Sequence, residues 1–287
     1  MMKRLFLLLA AMAIGILGFG YYTATRDPAV RRLTVHLRDW PAGAPPMRVV
    51  LISDLHVAGP DTPPSRLARI VAQVNALRPD LVLIAGDIEQ DRRLSTQVYA
   101  GEAASAPLKA LRARYGVLAV LGNHDYGWRN RTDLPGPLAE NGITLLRNTA
   151  VRRGALTIAG ADDLYHGKFH PLRLARAAAA LPGPVVVLSH TPDVAPTLPR
   201  QFPLVLAGHT HCGQVVLPLI GAVTASSHYG LRYLCGLIRE PGRDVLVTAG
   251  IGTSGVPLRY GAVPDLWVLT FDGAASDGIR KAAAIRD

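Results

Sequence analysis

Leu118-Ala119-Val120-Leu121-Gly122-Asn123-His124-Asp125-Tyr126 is the stretch on which the fold turns. The apolar run Leu118 to Leu121 reads as a buried strand, and Gly122 ends it abruptly. An amide, an imidazole and a carboxylate follow at once, three groups that bind metals or move protons. In open α/β sheets, chemistry sits just past the carboxyl ends of the strands.

Working outward, the same construction recurs. Arg48 to Ser53 is a strand candidate ending at Asp54, Leu55 and His56, and Leu81 to Ala85 is another ending at Gly86 and Asp87. Between them Pro63 and Pro64 open a helix with Leu67, Ile70, Val71, Val74 and Leu77 at helical spacing. A second helix is expected over about Ala103 to Arg114. This β-α-β-α-β order implies parallel strands joined by right-handed crossovers. Downstream, Ile143 to Leu146 and Leu156 to Gly160 read as strands, and Leu172 to Leu181 as a helix bounded by prolines. Val185 to Leu188 ends at Ser189 and His190, and Val205 to Ala207 at Gly208, His209, Thr210 and His211. Val245 to Thr248 and Leu266 to Phe271 are late strands.

Five strand ends therefore carry Asp54 with His56, Asp87, Asn123 with His124 and Asp125, His190, and His209 with His211. They hold five of the nine histidines. On extended backbone, residues i and i+2 point to the same side, so each two-apart pair is expected to chelate one centre. Glycine before Asp87, Asn123 and His209 permits tight turns and close approach of neighbouring groups. Any one fragment is an ordinary loop. Together, ionisable groups converging in one cleft would repel and desolvate unless cations neutralised them.

The ordered set Asp54-x-His56, Gly86-Asp87, Gly122-Asn123-His124-Asp125, His190, Gly208-His209-Thr210-His211 resembles the calcineurin-like metallophosphoesterases, from about Met47 to Phe271. The resemblance implies a four-layer α/β/β/α sandwich. It implies that Asp54, His56, Asp87 and His211 hold one metal while Asp87, Asn123, His190 and His209 hold a second, with Asp87 bridging. Two divalent ions about 3.5–4 Å apart would acidify a shared water and clamp a phosphoryl group. The nitrogen and oxygen donors suit manganese, iron or zinc alike. His124 matches the family's catalytic histidine, protonating the leaving oxygen or stabilising developing charge, and Asp125 either orients it or caps a turn. Cys212 is a thiolate ligand or a small loop residue. Asp162 and Asp163 either support the site or form a turn. The glycine-rich loop from Gly250 to Gly261 resembles one in a membrane-anchored bacterial branch, where Arg259 either binds substrate phosphate or is a surface arginine.

Composition bounds the remainder. With 49% hydrophobic and 18% charged residues, the 287-residue chain is globular rather than disordered. The net charge of +10 points to an anionic partner, whether membrane, nucleic acid or phosphorylated substrate. No basic stripe interleaved with aromatics supports nucleic acid. Two cysteines make no disulfide framework. Lys3 and Arg4 precede an apolar run from Leu5 to Tyr22, long enough at ~1.5 Å per residue to be an uncleaved anchor, with a cleavable signal peptide as the competing reading. Arg26, Arg31, Arg32 and Arg38 tilt the basic-residue count slightly toward a cytoplasmic catalytic domain, and the branch resemblance implies a bacterial inner membrane.

The expected organisation is an anchor over 1–26, a linker over 27–46 with one edge strand around Leu33 to Leu37, a metallophosphoesterase domain over 47–272 and a C-terminal tail over 273–287. The expected partners are a bilayer and an anionic, lipid-linked substrate, with no protein partner inferred. The branch resemblance nominates UDP-2,3-diacylglucosamine, cleaved to 2,3-diacylglucosamine 1-phosphate and UMP in lipid A biosynthesis. The absence of a long helical insertion between Asp125 and His190 counts against it. A nucleotide or nucleic-acid phosphodiesterase and a non-catalytic membrane scaffold are the rivals.

Overall fold

The computed structural model describes residues 1–90, 94–127 and 132–273. After a helix α1 (Met2–Thr25) come twelve strands that build two sheets. They are β1 (Ala29–Leu37), β2 (Met47–Ile52), β3 (Leu81–Ala85), β4 (Val117–Val120), β5 (Ile143–Leu145), β6 (Thr149–Arg153), β7 (Leu156–Gly160), β8 (Val185–Leu188), β9 (Leu204–Ala207), β10 (Gly236–Glu240), β11 (Arg243–Val247) and β12 (Asp265–Gly273). The first sheet runs β1-β12-β2-β3-β4-β5 and the second β10-β11-β9-β8-β7-β6. Strands β2 to β5 are mutually parallel, as the crossover pattern requires, and so are β7, β8, β9 and β11.

Alternate residues of each strand face opposite ways, and this alternation creates the layers. Val49, Leu51, Leu83, Leu118 and Val120 of the first sheet meet Leu156, Ile158, Val186, Leu188, Leu206 and Leu246 of the second between the sheets. The opposite-facing Val50, Ile52, Val82, Ile84 and Ala119 pack on Leu67, Ile70, Val71 and Val74 of α2 (Pro64–Ala76). On the far side, Ala159, Val187, Val205 and Val245 pack on Leu174 and Ala178 of α3 (Pro171–Ala179). The result is a four-layer α/β/β/α sandwich. Because their strands are buried on both faces, their near-continuous apolar runs were readable.

The structure corrects several expectations. The edge strand expected around Leu33 to Leu37 is longer and integral to the first sheet: β1 pairs in parallel along all of β12, from Ala29 opposite Asp265 to Leu37 opposite Gly273. Leu33 and Val35 there pack into the inter-sheet core, so the folded domain begins at Ala29. The helix expected over Ala103 to Arg114 is four residues long, Glu102–Ser105, and tightens into a 3-10 turn over Ala106–Ala110. Pro107 lacks the N–H that a continuing α-helix needs. The second sheet also has antiparallel edges, β6 and β10, that the sequence does not announce, and a small hairpin pairs Val216–Leu217 with Gly221–Ala222. The expected tail beyond Gly273 lies outside the described residues.

Among the described residues, α1 alone is long and apolar enough to cross a membrane. Its last turns rest against the domain. Gly20, Thr23 and Ala24 are buried, the Tyr260 hydroxyl donates to the Ile16 carbonyl at 2.7 Å, and the Arg259 N–H donates to the Gly20 carbonyl at 3.0 Å. A Cβ on Gly20 would fall 2.4 Å from the Tyr260 ring, so only glycine allows this approach.

Candidate metal centre

Asp54 and His56 follow β2, Asp87 follows β3, and Asn123 and His124 open the short helix Asn123–Tyr126 after β4. His190 follows β8, and His209 and His211 follow β9. Three neighbouring strands of one sheet and two of the other thus end at one place. The His209 N–H donates to both Asp54 carboxylate oxygens, at 3.1 and 3.0 Å, and joins the sheets there.

All seven expected ligand side chains converge in two adjoining clusters. In the first, His56 Nε2 lies 3.1 Å from His211 Nε2, and Asp54 Oδ1 lies 3.5 Å from the same nitrogen. In the second, His190 Nε2 lies 3.0 Å from His209 Nδ1, 3.1 Å from Asn123 Oδ1 and 3.2 Å from Asp87 Oδ2. Asp87 Oδ2 is also 3.5 Å from His56 Nε2, so one carboxylate oxygen faces both clusters. His124 is near the first, its ring edge-on to His56 at 5.0 Å between centroids, and its N–H donates to Asp87 Oδ1.

The two-apart spacing misleads in two respects. His209 and His211 go to different clusters, as the family resemblance implies and the spacing alone does not. Nor is the backbone extended at these residues. Asp54, His56, Asp87, His209 and His211 all have φ between 45° and 71°, the left-handed region that side chains other than glycine rarely enter. Each such residue costs on the order of 1 kcal/mol, and clusters of them are characteristic of sites where geometry is imposed by function. Sequence offers no signal for this, because glycine would be the expected residue. Close approach explains Gly122 and Gly208. A Cβ on Gly122 would come 2.2 Å from Asp87 Oδ1, and one on Gly208 would come 1.9 Å from Ser53 Oγ.

The donor set fits divalent cations on a specific observation. His190 Nδ1 lies 2.9 Å from the Ala85 carbonyl, which only accepts, so Nδ1 carries a proton and Nε2 is the ring nitrogen turned toward the cluster. That nitrogen faces the oxygens of Asn123 and Asp87 at hydrogen-bond distance, where either a proton or a divalent cation satisfies all three. With protons alone available, burial opposes charge on His190 but the Asp87 carboxylate outweighs it, lifting the imidazole to about 10. Burial likewise opposes ionisation of Asp87, yet His190 and His124 hold its carboxyl well below the usual range. Burial and then His190 pull His209 down to about 3, and burial, His56 and Arg259 pull His211 down, so both offer lone pairs. Asp54 is pushed up to about 6, chiefly by burial. His56, Asp54 and His211 would hold one divalent ion, Asn123, His190 and His209 the other, with Asp87 between them.

Asp125 acts on the backbone rather than directly on His124. Its Oδ1 accepts from the Ile88 and Glu89 N–H groups at 2.8 and 3.0 Å, and Oδ2 accepts from the Gly122 N–H at 2.8 Å. Burial and then Asp87 push it up to about 7. It therefore fixes the turn carrying Asn123 and His124. Asp162 supports that turn too, accepting from the Tyr126 hydroxyl at 2.6 Å and from Arg147 Nε at 3.0 Å. Asp163 accepts from the N–H of His166, whose Nε2 lies 3.2 Å from the Gly127 carbonyl. Tyr165, not singled out in the sequence, lays its ring over His209 at 4.8 Å.

Arg259 corrects the reading of a phosphate-binding or surface arginine. It is fully buried, and its Nη2 donates to the Ala249 carbonyl at 2.8 Å and lies 3.2 Å from His211 Nδ1. Burial pulls its pKa down to about 10. It positions His211 and disfavours protonation of that ring instead of meeting substrate. Arg259→Met is expected to leave several buried carbonyls unsatisfied and to cost about 3 kcal/mol of stability. Thermal unfolding should show it as a midpoint roughly 6–12 °C lower; an unchanged midpoint would refute the positioning role. Cys212 is neither thiolate ligand nor free loop residue: it is disulfide-bonded to Cys235, 23 positions on.

A single carboxylate shared between two sets of nitrogen and oxygen donors is the organisation of a two-metal hydrolase. The chain belongs to the calcineurin-like phosphoesterase family, whose model matches residues 47–213. It is 32% identical over 258 residues to a "transmembrane protein with metallophosphoesterase domain" of Danio rerio, covering 84% of this chain and 56% of that protein. It is 30% identical to the uncharacterized metallophosphoesterase YkuE of Bacillus subtilis, over 94% of this chain and 97% of that one. To the phosphodiesterase YaeI of Escherichia coli it is 29% identical, over 88% and 92% respectively. The chain spans little more than half the length of the Danio rerio protein and of a putative metallophosphoesterase of Caenorhabditis elegans. The family is one of metal-dependent phosphoester hydrolases, and the donor clusters here suit its divalent metals.

Proposed function

We propose that this chain is a membrane-anchored phosphodiesterase that hydrolyses a phosphodiester or pyrophosphate bond of a lipid-linked substrate. The observation that carries the reading is the position of Asp87 Oδ2, within 3.5 Å of a histidine from each donor cluster. Two divalent cations held there supply Lewis acidity toward phosphoryl oxygens and acidify water. His124 delivers a proton to the leaving oxygen, while Asp87 and Asp125 hold the turn that carries it. A non-catalytic scaffold would tolerate lost donors, yet every one is present. The anchor helix, the transmembrane proteins among the relatives and the net charge of +10 support a substrate that is anionic and lives in a bilayer.

UDP-2,3-diacylglucosamine, cleaved at its pyrophosphate, is the first specific substrate to try. The disulfide favours a second reading. Disulfides persist in oxidising compartments, so in this reading the catalytic domain lies on the non-cytoplasmic side, against the tilt of the basic-residue count. The substrate is then a lipid-linked phosphodiester of that leaflet. The deciding experiment incubates the full chain with manganese and a panel containing UDP-2,3-diacylglucosamine, phospholipids, cyclic nucleotides and a generic aryl phosphodiester. Cleavage of a lipid-linked member with identified products supports the proposal. Cleavage of nucleotides alone, or of nothing, overturns it.

A further inference from the structure

The anchor helix and the domain share more length than a spanning helix can spare. Among the described residues, the first hydrogen bond from α1 to the domain is at the Ile16 carbonyl, which accepts from the Tyr260 hydroxyl; Phe19 meets the Tyr260 ring, Gly20 receives the Arg259 N–H, and the Tyr21 hydroxyl donates to Pro60. Residues 2–15 alone precede these contacts. At ~1.5 Å per residue they reach about 21 Å, against a hydrocarbon core of ~30 Å. If α1 spans the bilayer, the domain surface beside Tyr260 lies roughly 9 Å below the headgroup boundary.

That surface is built for such a depth. The Val216 N–H donates to the Tyr260 carbonyl at 2.8 Å, and Val215 bridges to Tyr260 and Gly261, so the hairpin that pairs Val216–Leu217 with Gly221–Ala222 stands directly beside the anchor contacts. Its turn, Pro218-Leu219-Ile220, is apolar, and Leu217, Leu219, Ile220 and Val223 are exposed, Leu219 completely. Leu219 also has φ 67°, where glycine or asparagine would sit more comfortably. A large apolar side chain on a left-handed, water-facing turn is disfavoured twice over in a soluble setting. From Cys212 to Cys235 the chain has no carboxylate and one guanidinium, that of Arg232. Tyr260 stands beside the hairpin, and Tyr21 and Tyr22 lie in the last turns of α1, the residue type that gathers at membrane interfaces.

We propose that the Val216–Ala222 hairpin is a second membrane-seating element, immersed in the bilayer beside α1, which holds the metal centre against the headgroup layer. The hairpin begins five residues after His211, at most about 17 Å of chain. Gln214 shortens the link, accepting from the Ser254 N–H at 2.7 Å while its own N–H donates to the His211 carbonyl. The substrate class that follows is a phosphoester whose phosphorus lies at headgroup depth. This last step rests on the phosphodiesterase reading; the seating itself does not.

The full chain is reconstituted in phosphatidylethanolamine–phosphatidylglycerol vesicles, with or without bromine on the acyl chains. A Leu219→Trp variant should add blue-shifted fluorescence over the wild-type signal that brominated lipid quenches at least twofold. Unquenched, water-like emission overturns the seating. So does a shielded, unquenched tryptophan in a chain that cross-links as a dimer, which would make a second copy the occupant. For function, Leu219→Asp combined with Ile220→Asp alters only exposed side chains, and aspartate tolerates the left-handed turn better than leucine. The double variant should hydrolyse a vesicle-borne diacylglycerol aryl phosphodiester at least tenfold more slowly and a soluble aryl phosphodiester within twofold of wild type. Equal rates on both substrates overturn the link from seating to catalysis. A wild type inactive on both would sink the phosphodiesterase reading, while the fluorescence still decides the seating.

Discussion

Asp87→Ala is expected to remove metal and turnover together. Its Oδ2 is 3.2 Å from His190 Nε2 and 3.5 Å from His56 Nε2, one donor from each cluster, and its Oδ1 receives the His124 N–H. Losing a single electrostatic donor in an active site typically costs about 10²–10³-fold in rate. Loss of Asp87 should exceed that, because it also takes away the negative charge that lets two cations sit side by side. Elemental analysis of the purified variant should find well under one divalent ion per chain, against two in the wild type, with hydrolysis of an aryl phosphodiester below detection. Retention of both ions would show that Asp87 does not bridge them. Asp87→Asn is the informative companion, since it keeps an oxygen at the same place and discards the charge.

His124→Ala should behave differently. His124 stands beside the first cluster and is not needed to complete the second, so metal content should remain near that of the wild type. The rate should fall about 10²–10⁴-fold, the range for loss of a general acid. Leaving-group dependence separates this role from a structural one. Nitrophenolate departs without a proton, whereas an alkyl alkoxide does not, so the deficit should be several times larger on an alkyl phosphodiester. An equal deficit on both substrates would indicate that His124 does not protonate the leaving oxygen. The N–H bond from His124 to Asp87 survives the substitution, which keeps the two predictions independent.

The sequence displayed the strand ends because parallel strands buried on both faces are continuous apolar runs, and the residue after each run is at the site by topology. Asp54, Asp87, Asn123, His190 and His209 were all legible on that basis. The conformation that aims them was not, since left-handed backbone at Asp54, His56 and Asp87 leaves no compositional trace where glycine is absent. Arg259 illustrates a second limit. A guanidinium reads as solvent-facing until the carbonyls that surround it, here from Ala249 to Gly252, are brought together by tertiary structure. The pairing of Cys212 with Cys235 and the docking of β1 onto β12 are long-range facts of the same kind. The Pro218-Leu219-Ile220 turn carries no signal of its own in the sequence, since two apolar residues after a proline mark no particular element until their exposure is known.

Arg259 also changes what it means to prepare this protein without its N-terminal helix. Its backbone N–H is held by Gly20 of α1 and its guanidinium by the surroundings of His211, so a single residue joins the N-terminal helix to the donor cluster. Trimming the chain to begin at residue 27 would strip hydrogen-bond partners from Arg259 and Tyr260 at one stroke and uncover the face on which Gly20, Thr23 and Ala24 rest. The amputated protein is a poor stand-in for the intact one, and rates measured on it would describe a loosened His211.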